Sequence, residues 1–306
     1  MIELTSLDEI RLDACWLTIG IFDGMHLGHQ VLLEHLVDGS HRAGLPAVVL
    51  TFQPHPAVVL GGNRDFKVLN THAERLALLA GAGVDTVITQ HFDRKFAAQT
   101  PREFMQHLVR SAQLKHLVIG YDTALGRDRQ GDAAHLTELG IDLGYTVEVT
   151  TAFRLEAEII SSSAIRTLLR QGDVTRAAQM LGRSYSVSGL VVHGDGRGKH
   201  INLPTANIHA PADKVIPAKG IYATWIQIGS ERFRGATNIG TNPTFTPEKQ
   251  TESIETHVLD FDRSLYGQEV KVEFIAHLRE EIKFTSVGQL LEQIQLDIQK
   301  TRTILA

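Results

Sequence analysis

Two patterns of hydrophobic and polar positions follow each other along the 306 residues of the chain. Over residues 16–150, short β-branched apolar runs alternate with longer segments in which apolar positions recur at helical spacing. This alternation is typical of parallel strands joined by crossover helices. It therefore predicts a doubly wound α/β domain. The predicted strands cover residues 16–22, 47–52, 86–89, 116–119 and 146–150.

The pattern then changes. Two helices are predicted next, the second beginning after Asp173 and ending at Gly182. From Tyr185 onward, β-rich stretches are separated by glycine and proline turns, which indicates a small β-barrel. A helical segment over residues 286–305 follows the barrel.

Composition supports two globular domains. With 43% hydrophobic and 21% charged residues, the chain can bury two cores. We expect an N-terminal domain over residues 1–183 and a C-terminal domain over residues 184–306.

Charge and cysteine content exclude several classes of protein. The net charge is -5 and the pI is about 6.3. Lysine and arginine do not cluster among aromatic residues, so no nucleic-acid partner is expected. The single cysteine, Cys15, has no internal disulfide partner, and the first residues do not resemble a signal peptide. The apolar runs are far shorter than the roughly 20 residues of a membrane span. We expect a cytoplasmic protein without a membrane partner, and the sequence allows an oligomer without indicating one.

The stretch "TIGIFDGMHLGHQ", residues 18–30, joins the first predicted strand to the helix after it. A ligand site is expected at this turn, because α/β sheets bind ligands at the carboxyl ends of their strands. The start of the helix offers free N–H groups and a partial positive charge. Gly24 and Gly28 would let a phosphate approach the backbone closely.

His26 and His29 lie three residues apart, so their side chains face one side of the first helical turn. Imidazole donors there can stabilise the negative charge that builds on an α-phosphate while pyrophosphate is displaced. The pair therefore fits nucleotidyl transfer. Two histidines at a helix start, taken alone, more often cap the helix or fill space, but the adjoining strand, turn and glycines favour chemistry.

A second phosphate site is predicted after residue 160. Ser161, Ser162 and Ser163 lie at the expected start of a helix, where hydroxyl and backbone N–H groups can gather around an anion. Arg166 adds a fixed positive charge within the first turn. Standing alone, this motif would more often be a serine N-cap with a solvated arginine.

In the C-terminal region, "VVHGDGRGKHINLPTANI", residues 191–208, combines a glycine-rich turn with a Pro-Thr-x-Asn sequence. Glycine turns expose backbone N–H groups to phosphate, although a Gly-Asp-Gly turn alone usually just connects strands. Thr205 and Asn207 supply oxygens that Mg²⁺ accepts alongside ATP phosphates. The residues predicted to bind the nucleotide are Gly194, Gly196, Arg197, Gly198 and Lys199.

The N-terminal motifs resemble those of a known enzyme family. "GIFDGMHLGHQ" resembles the G-x-F-D-x-x-H-x-G-H signature of the HxGH nucleotidyltransferases. Its Asp-Gly variant is similar to the FAD synthetase half of the bacterial bifunctional riboflavin kinase/FMN adenylyltransferases. "TFQPHP", "GVDTVITQHFDRKFAAQTPREF" and "IISSSAIRTLLRQGDVTRAAQMLGRSY" resemble further motifs of this family, in its order. The resemblance implies a Rossmann-like nucleotidyltransferase domain.

The same resemblance implies roles for individual residues. It makes His26 and His29 catalytic and brings the serine turn and Arg166 to the nucleotide phosphates. His55, which by itself could be a rigid loop filler between two prolines, is placed at the nucleotide site. Asp122 is assigned to the flavin. The signature at the first turn adds Gly20, Phe22 and Asp23 to the nucleotide site.

One stretch departs from the family pattern. The family usually reads G-x-D/N-F-x-F-G where this chain has "GYDTALG", residues 120–126. Thr123 and Leu125 replace both aromatics, which predicts the loss of ring stacking worth about 0.5–1.5 kcal/mol per pair. Ala164 also replaces an arginine that many relatives carry.

The C-terminal motifs "GIYATW", "GATNIGTNPTF", "SIETHVLDFDRSLYG" and "VEFIAHLREEIKF" resemble those of riboflavin kinases. The glutamate of that family's E-x-H motif is its proposed base, and it corresponds to Glu255. On an alternating strand Glu255 shares a face with His257. A lone strand glutamate would otherwise be a solvated face residue. Arg279 is expected to border the flavin or to form an ion pair with Glu280 or Glu281.

The resemblance covers about residues 16–298. It implies a bifunctional enzyme, with a riboflavin kinase barrel and a terminal helix after the nucleotidyltransferase domain. Such an enzyme makes FMN from riboflavin and ATP, and then FAD from FMN and ATP, with Mg²⁺ as the metal. The alternative is a riboflavin kinase whose N-terminal nucleotide-binding domain is weakened or regulatory.

Overall fold

The structure is a computed structural model that describes residues 1–62, 65–156, 158–194, 204–242 and 251–306. The chain forms two compact units, Met1–Ser161 and Ser162–Ala306. The first contains a parallel sheet and the second a closed barrel.

The first unit alternates strands and helices, as predicted. In chain order these are β1 (Ile2–Leu4), β2 (Cys15–Ile19), α1 (Leu27–Arg42), β3 (Ala47–Gln53), α2 (Pro56–Gly61), α3 (His72–Gly81), β4 (Thr86–His91), α4 (Arg94–Ala97), α5 (Pro101–Ala112), β5 (Leu114–Gly120), α6 (Ala133–Leu143), β6 (Thr146–Thr150), β7 (Arg154–Leu155) and β8 (Glu158–Ile159). The last two form a short antiparallel pair.

Strands β1 to β6 form a parallel sheet in the order β1-β4-β3-β2-β5-β6. The five predicted strands and their parallel arrangement are confirmed. The edge strand β1 was not predicted, because its few, largely exposed residues carry no apolar pattern. β2 ends at Ile19 and not at residue 22, since Phe22 has a φ of 53°, which a strand does not contain.

All strands of this sheet are parallel, but the order in which the chain adds them reverses at β2. From β2 the chain proceeds through β3 and β4 on one side, and then through β5 and β6 on the other. The loops after β2 and β5 therefore flank a crevice at the carboxyl ends of the strands. Open α/β sheets bind their ligands at such a crevice.

Helices cover both faces of this sheet. On one face, Leu33 and Leu36 of α1 pack with Val49 and Val87 of the strands. On the other face, residues of α5 and α6 pack with the alternate strand positions, for which Leu50 and Leu117 are examples. Burial of both faces explains why these strands are almost continuously apolar.

The second unit begins with two helices and continues as a barrel. Its elements are α7 (Ser162–Arg170), α8 (Val174–Leu181), β9 (Tyr185–Val192), β10 (Ala206–His209), β11 (Gly220–Ile228), β12 (Glu231–Asn242), β13 (Thr251–Val258), β14 (Glu269–Arg279) and α9 (Val287–Ile304). The strands form a closed antiparallel barrel in the order β10-β13-β12-β11-β14-β9. The predicted barrel and terminal helix are confirmed.

The predicted ends of α8 are also confirmed. The Asp173 side chain accepts a hydrogen bond from the N–H of Arg176 at 2.9 Å, and Gly182 ends the helix with a φ of 70°. α8 packs on β14 and β9. Contacts thus group α7 and α8 with the barrel, whereas the sequence assigned them to the N-terminal domain. The division of the two activities at residues 183 and 184 stays a prediction.

Within the described ranges, we find no helix with the length and apolar character needed to cross a lipid bilayer.

Candidate active sites

The turn between β2 and α1 is built from left-handed backbone. Phe22, Gly24 and Met25 have φ angles of 53°, 86° and 43°. Only glycine adopts this conformation without strain. The buried ring of Phe22 approaches Gly20 so closely that a Cβ on Gly20 would lie 2.9 Å from ring carbon Cε2. Gly20 and Gly24 therefore shape the turn at which nucleotide binding is predicted.

His26 and His29 form a stacked pair at the start of α1. Their ring centroids are 3.6 Å apart, and the ring planes differ by 14°. His26 is the N-cap of α1, and its Nδ1 accepts a hydrogen bond from the N–H of His29 at 3.3 Å. Because Nδ1 is an acceptor, a neutral His26 carries its proton on Nε2 and has an N–H donor there. His26 can therefore cap the helix and still donate to a phosphate.

Asp23 is turned into the protein. It is 2% exposed, and its carboxylate accepts hydrogen bonds from the N–H groups of Leu69 at 2.8 Å and Asn70 at 3.0 Å. These bonds tie the segment before α3 to the turn after β2. The contacts describe a structural role for Asp23, and its predicted role in nucleotide binding stays a prediction.

Arg75 of α3 is a residue that the sequence analysis missed. It is 3% exposed, and its guanidinium donates to the carbonyl of Ile21 at 3.2 Å and to Oε1 of Gln53 at 3.3 Å. Burial lowers the pKa of Arg75, and the nearby Asp23 carboxylate opposes that shift. Arg75 thus connects the segment after β2 with the last residue of β3.

Replacing Arg75 with methionine is expected to lower the free energy of unfolding of the first unit by about 2–4 kcal/mol. Methionine keeps the aliphatic length but removes the donor to Ile21 and the positive charge near Asp23. Urea denaturation followed by the fluorescence of Trp16, in a Trp225→Phe background, measures this unit. Arg75→Lys keeps the charge and should lose less, and an unchanged midpoint for Arg75→Met would contradict the role assigned to Arg75.

His55 is the N-cap of α2. Its Nδ1 accepts a hydrogen bond from the N–H of Ala57 at 3.0 Å, and its ring centroid lies 4.3 Å from that of Phe66. His55 therefore has a structural role, because it caps the start of α2. Contact of His55 with a nucleotide stays a prediction.

The serine turn precedes and begins α7. Ser162 and Ser163 open the helix, and Ser161 comes directly before it. Arg166 is only 7% exposed. The alternative of a solvated arginine is therefore wrong, while the predicted contact of Arg166 with phosphate stays a prediction.

A cavity of about 680 Å³, which we call the sheet cavity, opens at the carboxyl ends of β2, β3, β4 and β5. Its volume lies within the roughly 300–1,000 Å³ of small-molecule pockets. Gly20 and Ile21 line it, so it adjoins the turn that leads to His26 and His29. The predicted crevice is therefore present as a cavity that begins at this turn.

Four phenylalanines line the sheet cavity, and we call them the aromatic wall: Phe52, Phe92, Phe96 and Phe104. The ring centroid of Phe52 lies 5.3 Å from that of Phe92 and 5.6 Å from that of Phe96. Thr123 and Leu125 line the same cavity. The cavity thus keeps aromatic surface despite the substitutions at these two positions.

Asp122 lies on the rim of the sheet cavity. It is exposed, and its carbonyl accepts a hydrogen bond from Nη2 of Arg129 at 3.3 Å. Arg127 and Arg129 also line the cavity. Asp122 is positioned to contact a ligand there, and its assignment to the flavin stays a prediction.

A second cavity, of about 460 Å³, lies in the barrel unit between the strands and α9, and we call it the barrel cavity. Glu255 of β13 lies directly opposite Asn207 of β10 and Asn238 of β12. The side chains of Glu255 and His257 both line the cavity, which confirms that they share a face of β13. Glu255 therefore faces a cavity of ligand size, whereas a lone strand glutamate would be expected on the solvated surface.

The lining of the barrel cavity combines apolar and polar side chains. The apolar side chains come from β11, from α9 and from the segment between β14 and α9. They are Ile221, Ile282, Phe284, Leu290 and Ile294. Polar groups come from β12, from β13 and from Thr205 just before β10, and the charged groups of Arg279, Glu281 and Asp297 lie among the apolar elements. A lining of both kinds suits a ligand with a flat apolar ring and a polar chain.

Thr205 and Asn207 lie next to Glu255. The two residues are separated by one position, so their side chains share a face of the extended chain. His257 steadies this segment, because its Nδ1 donates to the carbonyl of Pro204 at 2.9 Å. A threonine hydroxyl and an asparagine amide oxygen are the hard oxygen ligands that Mg²⁺ takes. The donor set fits the predicted ion.

Arg279 lines the barrel cavity and is bound by Asp297 of α9. Its Nη2 lies 2.7 Å from Oδ2 of Asp297, and Nε donates to both carboxylate oxygens at 3.1 Å. Asp297 is 3% exposed. The predicted ion pair with Glu280 or Glu281 is therefore wrong, although the carbonyl of Glu280 accepts from Nη1 at 2.9 Å. The Arg279–Asp297 pair fixes α9 against β14.

Gly194 follows β9 and lies against Asn207. A Cβ on Gly194 would lie 2.6 Å from Oδ1 of Asn207, so the amide of Asn207 would have to move. The glycine therefore leaves space for the amide that is predicted to bind the metal. The other predicted members of this turn, Gly196, Arg197, Gly198 and Lys199, lie outside the described residues.

Comparison with known proteins agrees with both halves of this description. The family model for FAD synthetase matches residues 9–164, and the family model for riboflavin kinase matches residues 181–305. A bifunctional riboflavin kinase/FMN adenylyltransferase from Haemophilus influenzae is 40% identical over 293 residues, which cover 95% of this chain and 94% of that protein. The chain belongs to the bifunctional riboflavin kinase/FMN adenylyltransferase family.

Two further members of this family show the same extent of similarity. The protein from Escherichia coli K12 is 36% identical, with 95% of this chain and 93% of that protein covered. The protein from Bacillus subtilis is 34% identical, with 93% and 90% covered. A solved structure titled as a macrolide-efflux protein from Streptococcus pneumoniae has a TM-score of 0.91, 30% identity and 98% coverage of both chains. The two-unit architecture thus extends over the whole length of a solved structure.

The two cavities fall into the ranges of different family models. The histidine pair and the sheet cavity lie within the FAD synthetase range, residues 9–164. Glu255 and the rest of the barrel cavity lie within the riboflavin kinase range, residues 181–305. Most of α7 and α8 lies between these ranges.

Proposed function

We propose that this chain phosphorylates riboflavin to FMN in its barrel unit and adenylylates FMN to FAD in its first unit, using ATP in both reactions. One observation carries the proposal. Each unit has its own cavity of ligand size: Glu255 lines the barrel cavity, and Gly20 and Ile21 of the turn that leads to His26 line the sheet cavity. The matches to both families over the length of the chain do not support the alternative of a weakened or regulatory N-terminal domain.

In the kinase reaction, the 5′-hydroxyl oxygen of the ribityl chain attacks the γ-phosphorus of ATP, and the bond from that phosphorus to the β-γ bridging oxygen breaks. Glu255 accepts the proton of the hydroxyl as its oxygen attacks. ADP leaves. Thr205 and Asn207 would hold Mg²⁺, which balances the phosphate charge when it is bound.

The apolar side of the barrel cavity would hold the isoalloxazine ring. Ile221, Phe284 and Ile294 present apolar surface there. The Arg279–Asp297 pair keeps α9 in place along this side. The ring would then lie against these apolar side chains, and the ribityl chain would extend towards Glu255.

Gly194→Ala is expected to lower riboflavin phosphorylation by about 10- to 100-fold and to raise the Mg²⁺ concentration needed for half-maximal rate. The added Cβ displaces the amide of Asn207, and a small displacement of a metal ligand has effects of this size. FMN formation measured across a Mg²⁺ series tests it. Gly288→Ala is the matched control, because its Cβ at the start of α9 would make only an ordinary contact with Oγ of Ser286 at 3.9 Å. Equal rates and equal Mg²⁺ dependence for both variants would remove Asn207 from the proposed metal site.

In the adenylyltransferase reaction, a phosphate oxygen of FMN attacks the α-phosphorus of ATP, and pyrophosphate leaves without a covalent enzyme intermediate. The Nε2–H group of His26 and the imidazole of His29 would stabilise the charge that develops on the α-phosphate. The N–H groups at the start of α1 add a partial positive charge. The glycines of the preceding turn would let the phosphates approach.

The sheet cavity would hold the isoalloxazine ring of FMN. The aromatic wall offers ring faces and edges to a flat ligand, which compensates for the missing aromatics at Thr123 and Leu125. Asp122 on the rim would contact the flavin. Ser161, Ser162, Ser163 and Arg166 would contact the nucleotide phosphates, as the family resemblance implies.

The partners of the proposed enzyme are small molecules: riboflavin, FMN and ATP. A cytoplasmic location and the absence of a nucleic-acid partner remain predictions from charge and composition. The chain should form FMN from riboflavin, and FAD from supplied FMN, with ATP and Mg²⁺ present. Chromatography of the two incubations tests both activities separately, and a missing product in either would remove the corresponding half of the proposal.

A further inference from the structure

Asn238 carries a buried amide oxygen for which the described residues supply no hydrogen bond. The residue lies in β12, opposite Glu255 on β13 and Ile221 on β11. Its Oδ1 has no partner within the part of the chain that the structure describes. Buried amide oxygens nearly always accept a hydrogen bond, because an unmet acceptor costs free energy. Oδ1 of Asn238 is therefore expected to accept a hydrogen bond from a group other than the described residues.

The barrel cavity is where that donor can come from. Asn238 lines it, together with Glu255 and the apolar side chain of Ile221. Directly opposed residues on neighbouring strands have Cβ atoms about 4.5–5.5 Å apart. A ligand group that reaches Asn238 is therefore close to whatever group is held by Glu255.

Riboflavin has two kinds of donor that could reach an amide oxygen. The single N–H of the isoalloxazine ring lies on the ring edge remote from the ribityl chain, so it is far from the 5′-hydroxyl. The secondary hydroxyls of the ribityl chain lie within a few bonds of the 5′-hydroxyl. Proximity to Glu255 selects the hydroxyls as the donors for Asn238.

We infer that Oδ1 of Asn238 accepts a hydrogen bond from a secondary hydroxyl of the ribityl chain and so holds the 5′-hydroxyl against Glu255. This inference rests on the proposed riboflavin kinase activity. Asn238 is then a substrate-binding residue that distinguishes flavins with a polyol chain from flavins without one. This role also explains why the polar Asn238 lies between the apolar Ile221 and the acidic Glu255 on neighbouring strands.

The test replaces Asn238 with leucine, which has similar volume and no polar atom. The dissociation constant for riboflavin, measured by flavin fluorescence, is expected to rise about 5- to 50-fold. Binding of lumiflavin, which has a methyl group in place of the ribityl chain, should be the same for parent and variant. The thermal midpoint of the ligand-free variant should stay equal or rise by about 2–4 °C, because an unmet acceptor is removed.

Asn70→Leu is the matched control. Asn70 also has a buried Oδ1 without a partner among the described residues, but it lies in the first unit and does not line the barrel cavity. Its replacement should leave the dissociation constant for riboflavin unchanged. A cooperative thermal transition at or above the midpoint of the parent shows that the Asn238 variant is folded. Asn238→Ser replaces the leucine variant if that variant does not fold.

Two results would overturn the inference and leave the proposed function intact. One is an unchanged dissociation constant for riboflavin in the folded Asn238 variant. The other is an equal loss of affinity for riboflavin and lumiflavin, which would place the defect at the ring. Failure of the parent chain to form FMN from riboflavin would instead remove the kinase reaction itself.

Discussion

Replacing Glu255 with glutamine is expected to lower the turnover of riboflavin phosphorylation by about 10²–10⁴-fold, because glutamine keeps the shape of the side chain but cannot accept the proton of the 5′-hydroxyl. Its position between Asn207 and Asn238 should be retained, so riboflavin should still bind. Formation of FAD from supplied FMN should continue at the parent rate. Steady-state kinetics with each flavin separately measure both effects.

Glu231→Gln is the control for this substitution. Glu231 begins β12, the strand next to β13, and forms an exposed ion pair with Arg263 on the protein surface. Its replacement should leave phosphorylation unchanged, since exposed pairs contribute little. Near-normal turnover of the Glu255 variant would contradict its role as the base and leave Glu255 as a structural residue of β13.

Replacing His29 with alanine is expected to lower the kcat of FAD synthesis by about 10²–10³-fold, with a much smaller change in the KM for FMN. The reason is that its imidazole interacts more strongly as charge develops on the α-phosphate than in the ground state. The stacked partner His26 stays at the N-cap of α1, so the helix should keep its start. Riboflavin phosphorylation should be unaffected.

His35→Ala provides a matched control on the same helix. His35 is exposed and pairs with Glu148 at 2.7 Å, away from the residues that line the sheet cavity. It should leave FAD synthesis unchanged. A rise in KM at constant kcat for the His29 variant would show that His29 contributes only to binding, and no effect would restrict the pair to helix capping.

The order and type of the elements could be predicted because local patterns determine them. Buried parallel strands such as β3 and β4 are continuous apolar runs, and the ends of α8 carry the polar cap and the glycine that helices use. The early end of β2 could not be predicted. It depends on a left-handed Phe22, a conformation that non-glycine residues adopt only when tertiary contacts hold them.

Parts of the candidate sites could be predicted from spacing alone. His26 and His29 are neighbours on one helical turn, and Glu255 and His257 share a strand face. The partners of buried charges could not be predicted in this way. Asp23 bonds to a backbone N–H 46 residues away, and Arg279 pairs with Asp297, 18 residues away. Only the folded chain brings such groups together.

The aromatic wall illustrates the same limit of local patterns. Its members come from β3, from the end of β4, from α4 and from α5, and each one alone is an ordinary core phenylalanine. The sequence showed the loss of aromatics at Thr123 and Leu125. It did not show that other rings line the same cavity. A signal was present nonetheless, since Phe52 and Phe92 lie at the carboxyl ends of adjacent parallel strands.

The most direct test of two successive reactions on one chain uses riboflavin, Mg²⁺ and ATP labelled at either the γ- or the α-phosphorus. The kinase reaction transfers the γ-phosphoryl group, and the adenylyltransferase reaction transfers the α-phosphorus within AMP. The γ label should therefore appear in FMN and remain in FAD, whereas the α label should appear in FAD alone. A flavin pool that gains the γ label but never the α label, or FAD that carries no γ label, would contradict the account.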